Sequence, residues 1–245
     1  VGSEMCIRDR LMDDRLALEL GAIIYGGFPG TFINADGIKK SISAPGPGNF
    51  LCFSRAVSSA SNLVGHDVIK KNSFVHAHGS STPANRVTES DVLDRTAQAF
   101  NIFDWPVTAI KSYVGHSMAA ASGDQVISAL GTFYYQIIPG IKTINKVADD
   151  VNQERLEFLL GDRNCEADPM HVAFINSKGF GGNNASGYVI SPQKVEELLA
   201  RKNTTMTCWR IIMKNGLWLC KVRRGMKSKL REQSWMSLIN LVKIR

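Results

Sequence analysis

The 245-residue chain is 44% hydrophobic and 21% charged, with a formal charge of +7 at neutral pH; this composition buries a core and excludes a largely disordered protein. The basic excess is local. Residues 201–245 hold twelve of the 29 Lys/Arg and one acid, Glu232, so the rest of the chain carries more acid than base. Nucleic-acid binding by the body of the protein is therefore not expected, and no apolar run reaches the length of a membrane span.

The opening decapeptide, VGSEMCIRDR, shows no secretory signal. It resembles translated adapter sequence, and residues 1–10 are set aside as a non-native leader. GAIIYGGF, from Gly21, predicts a buried strand interrupted by glycine. The breaker cluster APGPGNF follows, and then Phe50, Phe53, Val57, Ala60 and Val64 recur at helical spacing over about four turns. SFVHAHG predicts a short strand that ends in a Gly-Ser-Ser-Thr-Pro loop. TESD at Thr88–Asp91 has the form of a capping box, opening a helix whose apolar face holds Leu93, Ala97 and Phe100.

VTAI predicts another short strand, and the helix after it is expected from near Gly115 to about Tyr135. Its run Ala119-Ala120-Ala121-Ser122-Gly123 suggests a central, buried helix, with His116 buried at its first turn. Residues 142–169 are less regular and are expected to cross the surface. HVAFINSKGFGGNNASGYVI predicts strand, glycine-rich turn, strand. This alternation argues for an α/β protein with a mainly parallel sheet and a final hairpin. The body, residues 11–202, is expected to form one domain. The tail, residues 203–245, holds three of the four tryptophans among basic residues and is expected to lie outside the fold.

The five cysteines, Cys6, Cys52, Cys165, Cys208 and Cys220, form no CxxC and no Cys/His cluster. They read as free thiols of a reducing, cytoplasmic compartment, with no metal site. His78, Lys111 and His116 each follow a short apolar strand, where sites form in α/β sheets. A helix N-terminus disfavours the imidazolium form, so a ring there stays neutral and donates an N–H. Histidines in such settings are more often structural, and His66, His76 and His171 are assigned structural or surface roles.

HAHGSSTP, KSYVGHS and INSKGFGGNNA resemble, in order and spacing, three motifs of the β-ketoacyl synthases, roughly (E/N)AHGTGTP, KSxxGH and NSFGFGGTNA. The similarity covers about residues 15–200. It implies a thiolase-like layered α/β fold, α-β-α-β-α in the full enzyme, of which this chain covers mainly the C-terminal half. It further implies decarboxylative condensation of malonyl-carrier with an acyl thioester, in fatty-acid or polyketide synthesis. The expected partners are an acyl carrier protein, malonyl and acyl thioesters, and a second copy in a homodimer. No cofactor is expected on the enzyme itself; phosphopantetheine is carried by the acyl carrier protein.

By the same resemblance, His78 and His116 match the two active-site histidines and Lys111 the active-site lysine. Phe180 matches the phenylalanine that gates the acyl pocket and contributes to the oxyanion hole, within the glycine-rich loop of Gly179, Gly181 and Gly182. Ser80 and Thr82 match the hydroxyls that bind the pantetheine arm. The sequence departs from the pattern at His76, at Ser80, at Lys178 (a phenylalanine in the family) and at Gln125, where many relatives have a structural glutamate. None of the cysteines has the family's TACASG-like context, so the chain is expected to be a fragment that is inactive alone. The alternative is a chain-length-factor-like, non-catalytic partner subunit.

Overall fold

The computed structural model describes residues 11–19, 21–37 and 47–202. The leader, the basic tail and three of the cysteines, Cys6, Cys208 and Cys220, lie outside the described residues. Two units are present. One takes the residues up to 24 and from 197 onward, and its described part includes α1 (Asp14–Glu19). The other, Tyr25–Glu196, contains the sheet and every candidate residue.

Chain order in the second unit begins with β1 (Gly27–Ala35), α2 (Pro47–Val64), α3 (His66–Lys71) and β2 (Ser73–His76). It continues with α4 (Pro83–Ala99), β3 (Trp105–Thr108), α5 (Lys111–Val114) and, after a single 3-10 turn, α6 (Ala121–Tyr135). Then come β4 (Ile137–Ile138), β5 (Leu156–Phe158), β6 (Arg163–Asn164), β7 (Val172–Gly179) and β8 (Asn183–Ile190). α7 (Pro192–Lys202) ends the described chain. Six strands form one sheet in the order β1-β8-β7-β2-β3-β5. The pairs β7–β2, β2–β3 and β3–β5 are parallel, and β1–β8 and β8–β7 are antiparallel. β4 and β6 form a separate two-stranded ribbon.

Helices cover both faces, which buries the central strands β2, β3, β7 and β8. On one face α2 packs against α4 and the sheet. Phe53 of α2 meets Trp105 and Phe174 with ring centroids 5.8 and 5.9 Å apart, and Phe174 also meets Tyr188. The Trp105 indole N–H donates to Ser73 Oγ at 2.9 Å, so the largest buried side chain keeps its polar atom satisfied. On the other face Ala129 and Phe133 of α6 join Phe74, Ile138, Leu159, Ile175 and Val189. Each of these large apolar side chains contributes roughly 1.5–3 kcal/mol by leaving water. Among the described residues, no helix is long and apolar enough to cross a membrane.

Four expectations are corrected. The first strand does not span residues 21–28: residues 22–26 have no regular structure, and β1 starts at Gly27 as a half-exposed edge strand. A Cβ on Gly26 would lie 2.7 Å from Leu130 and one on Gly27 2.8 Å from Val195, so these glycines mark close packing. The helix assigned to the TESD box begins five residues earlier, with Pro83 in its first turn. Thr88 therefore lies inside α4, and its hydroxyl donates back to the carbonyls of Ala84 and Asn85. The helix expected from Gly115 starts at Ala121, because Gly115 and Met118 take φ of +71° and +57° and break it. Lastly, the irregular stretch 142–169 contains β5, a three-residue parallel strand that extends the sheet beyond β3.

Candidate active site

β2, β3 and β7 run parallel, so the segments leaving their C-terminal ends share one edge of the sheet. That edge carries His78, two residues beyond β2, then Lys111 and His116, beyond β3, and Phe180, in the turn after β7. The sheet thus brings together three segments separated by up to a hundred residues. The rings of His78 and His116 lie 5.3 Å apart, centroid to centroid, at 79°.

His78 is buried. Its main-chain N–H donates to Glu89 Oε1 at 2.6 Å, and the N–H of Gly79 donates to Glu89 Oε2 at 3.0 Å. Its ring Nδ1 accepts the main-chain N–H of Lys178 at 3.3 Å. The loop turns sharply at Gly79, where φ is +58° and a Cβ would lie 2.7 Å from that of Ala109. Burial pushes the His78 ring down to about 4; Lys111, His116 and Lys178 push the same way, and Glu89 opposes them.

His116 differs from the expectation. It is exposed, and it precedes the helix by a turn instead of occupying its first turn. The cause is the same pair of left-handed residues, Gly115 and Met118, that delays α6. The helix-dipole argument for a neutral His116 is therefore withdrawn. His116 Nδ1 accepts the main-chain N–H of Met118 at 3.0 Å. An Nδ1 that accepts leaves the ring proton on Nε2. Both candidate histidines thus have one nitrogen committed to the backbone and an Nε2–H to offer.

Lys111 is the first residue of α5 and is 8% exposed. Its ammonium makes no hydrogen bond. Burial pulls its pKa below the ordinary lysine value, while Glu89 and Asp124 pull the other way. Near it, His76 is completely buried, with its ring against Phe74 and neither nitrogen hydrogen-bonded. Burial, aided by Lys111, pushes His76 down to about 3. His66 is exposed, and His171 is half-buried with Nδ1 against Ser191 Oγ at 3.0 Å.

The polar group that sequence reasoning missed is Glu89, read there only as part of a cap. It is 4% exposed and accepts four N–H bonds. Besides those from His78 and Gly79, Asn85 Nδ2 donates at 3.1 Å and Asn176 Nδ2 at 2.8 Å. Asn85 and Glu89, four apart on α4, are the only local signal that could have found it. Asn176 in turn bonds Asn49 of α2 and Ser186 of β8, so the carboxylate anchors a buried network across four elements.

Phe180 is 76% exposed in the three-residue turn between β7 and β8. Gly181 and Gly182 take φ of +79° and +80°, which explains why that turn needs glycine. Asn183 Nδ2 donates to the Phe180 carbonyl at 2.8 Å. Ser80 is half-buried and Thr82 exposed, with their hydroxyls 3.5 Å apart. Gln125 is buried, and its amide nitrogen donates to the carbonyls of Ala77 at 2.8 Å and of His76 and Asn176 at 3.3 Å. A neutral amide therefore ties β2 to β7. Lys178 is buried, with Nζ donating to Thr88 Oγ1 at 3.1 Å. Lys178 thus places an amine where the family pattern has phenylalanine. The described cysteines, Cys52 and Cys165, are both buried; burial pushes the Cys52 thiol up to about 11 and raises Cys165 as well, so neither is an activated thiolate.

Residues 25–145 match the family described as "Beta-ketoacyl synthase, C-terminal domain". The chain is 64% identical over 194 residues to the β-ketoacyl-[acyl-carrier-protein] synthase FabY of Pseudomonas aeruginosa, covering 79% of this chain and 30% of that protein. It is 33% identical over 167 residues to the 3-oxoacyl-[acyl-carrier-protein] synthase 2 of Vibrio harveyi, covering 68% of this chain and 38% of that one. The crystal structure of the P. aeruginosa ketosynthase FabY superposes with a TM-score of 0.78 at 59% identity, over 87% of this chain and 33% of its own. The chain thus spans about a third of the length of these relatives. With the fold, the three motifs and these similarities in agreement, the chain belongs to the β-ketoacyl synthase family and carries its C-terminal, thiolase-like domain.

Proposed function

We propose that this chain supplies the decarboxylation half of a β-ketoacyl-acyl-carrier-protein synthase acting in fatty-acid or polyketide synthesis. The observation that carries this reading is the pair of imidazoles 5.3 Å apart, each with Nδ1 engaged by a main-chain N–H. Two Nε2–H donors on one sheet edge suit a single oxygen that gains negative charge.

In the reaction, the bond between the malonyl carboxyl carbon and the α-carbon breaks and carbon dioxide leaves. The electron pair passes into the thioester as an enolate, whose oxygen takes N–H bonds from His78 and His116. The enolate carbon then attacks the carbonyl of an acyl-cysteine. The C–S bond breaks, the cysteine is freed, and the β-ketoacyl group stays on the carrier. One preorganised donor of this kind typically accounts for ~10²–10³ in rate. Lys111 holds a buried positive charge that favours anionic species nearby. Phe180 sits at the entrance used by the first acyl chain, with its amide in the oxyanion hole, and Ser80 and Thr82 bind the pantetheine arm of the acyl carrier protein.

The described thiols are buried with raised pKa values, so neither serves as the nucleophile, and the proposed condensation draws its cysteine from outside the described residues. The test is release of labelled carbon dioxide from malonyl-carrier by the completed synthase, alongside β-ketoacyl product. No release with any acyl donor would remove this reading.

A further inference from the structure

The reaction above does not use Lys178, yet no side chain in the site departs further from the family pattern. Lysine is rarely buried without a specific arrangement to hold it, and Lys178 is 8% exposed on β7. Its two polar groups bracket His78. Its main-chain N–H donates to His78 Nδ1 at 3.3 Å, and its ammonium donates to Thr88 Oγ1 at 3.1 Å. The hydroxyl proton of Thr88 is turned to the carbonyls of Ala84 and Asn85, which leaves a lone pair for the ammonium. Thr88 directly precedes Glu89, whose carboxylate holds the His78 main chain. Lys178 thus joins the glycine-rich hairpin to α4 around the His78 ring.

We propose that Lys178 is a positioning residue for His78: its main-chain N–H fixes which ring nitrogen accepts, and its buried ammonium, anchored on Thr88, keeps the ring uncharged and therefore an Nε2–H donor. This rests on the reading of His78 as a donor to the enolate oxygen. The charged and titratable groups that face His78 are Glu89 from α4, Lys111 from α5, His116 from the turn beyond it and Lys178 from β7. Only Glu89 favours a proton on the ring, and its oxygens are engaged by four N–H donors. Burial is the largest influence against protonation, Lys111 and His116 follow, and Lys178 adds the last contribution. The main-chain bond survives a side-chain substitution and the charge does not, so the two contributions separate experimentally.

The test is an NMR titration of the His78 ring in the histidine-labelled 245-residue chain, in the parent and in K178M, K178Q and K178R. The His78 midpoint is expected to rise by more than ~0.2 units in both neutral variants and to stay within ~0.2 units in K178R. In the completed synthase, the acidic limb of malonyl decarboxylation is expected to move the same way. A midpoint unmoved in K178M and K178Q, or moved as far in K178R, overturns the proposal. A synthase that never decarboxylates malonyl-carrier, with the midpoint still raised in both neutral variants, removes the reaction assigned above and supports this role of Lys178.

Discussion

The carboxylate of Glu89 accepts the main-chain N–H of His78 at 2.6 Å. The loop that presents this candidate ring is thus held by a helix eleven residues on, through a charge-assisted bond in a buried place. The same carboxylate takes the N–H of Gly79 and the amides of Asn85 and Asn176. It offers acceptors only, and four donors converge on it.

Glu89→Gln tests this arrangement. A glutamine presents one acceptor oxygen and one donor nitrogen to a site built from donors. At least one of the four N–H groups loses its partner and meets another donor. A buried unsatisfied donor costs about 1–3 kcal/mol, so unfolding in urea is expected to show a loss of about 2 kcal/mol or more. A loss under about 0.5 kcal/mol would mean that water serves these donors equally well.

Glu89 also marks where sequence reading stopped. His78, Lys111 and His116 were legible because each follows a short apolar strand inside a motif of fixed wording. Two of the parallel strands were legible as short apolar runs between breakers: SFVH is β2, while the strand expected at VTAI begins two residues earlier, at Trp105, and ends at Thr108. The environment of Glu89 was not, because Asn176, one of its four donors, lies 87 residues away. The exposure of His116 depends on left-handed φ at Gly115 and Met118, and methionine gives no sign of that. β5 was missed because three residues have no measurable period.

Gly79→Ala probes the turn that aims His78. The residue sits at φ +58°, and the added Cβ would lie 2.7 Å from the Cβ of Ala109. The left-handed conformation costs roughly 1–2 kcal/mol and the overpacking a further 1–3, so a loss of about 2–5 kcal/mol is expected. Gly131→Ala is the control. Gly131 lies inside α6 with open space at its Cβ position, and the change is expected to stabilise by about 0.5–1 kcal/mol. Equal effects at the two glycines would contradict the geometry of the His78 loop.

Acid is expected to weaken the fold through His76 and His78. Their folded pKa values are lowered to about 3 and about 4, while the unfolded chain titrates near 6.5. Below about pH 6.5 the unfolded state binds protons that the folded state refuses. The stability these neutral rings contribute is therefore complete above that pH and falls as the pH drops. The loss levels off near pH 4 for His78 and near pH 3 for His76. The limiting slope is about 1.4 kcal/mol per pH unit for each group. His76→Leu is expected to reduce the measured slope between pH 6 and pH 4.5 by about that amount. An unchanged slope would show that His76 takes up a proton in the folded state.

The two histidines are expected to serve decarboxylation more than acyl loading, because of when charge develops. Their Nε2–H groups suit an oxygen that becomes negative only after malonyl-carrier arrives. In the proposed reaction, acyl transfer to the cysteine builds charge on a different oxygen, one assigned to the main-chain amides of the oxyanion hole. In the completed synthase, His78→Ala and His116→Ala are expected to form acyl-cysteine at near-parent rates and to lose ~10²–10³ in carbon dioxide release. His78→Ala also leaves the Lys178 N–H without its acceptor, so its total effect is the larger. Phe180, exposed at the hairpin tip, is expected to show the reverse pattern, with loading slowed more than decarboxylation in Phe180→Ala. Mass spectrometry of the acylated protein, run beside carbon dioxide release, separates the stages. If both histidine variants lose loading as severely as decarboxylation, the rings serve the cysteine and the shared-oxygen role fails. Their 5.3 Å approach would then reflect a common partner in the thiolate.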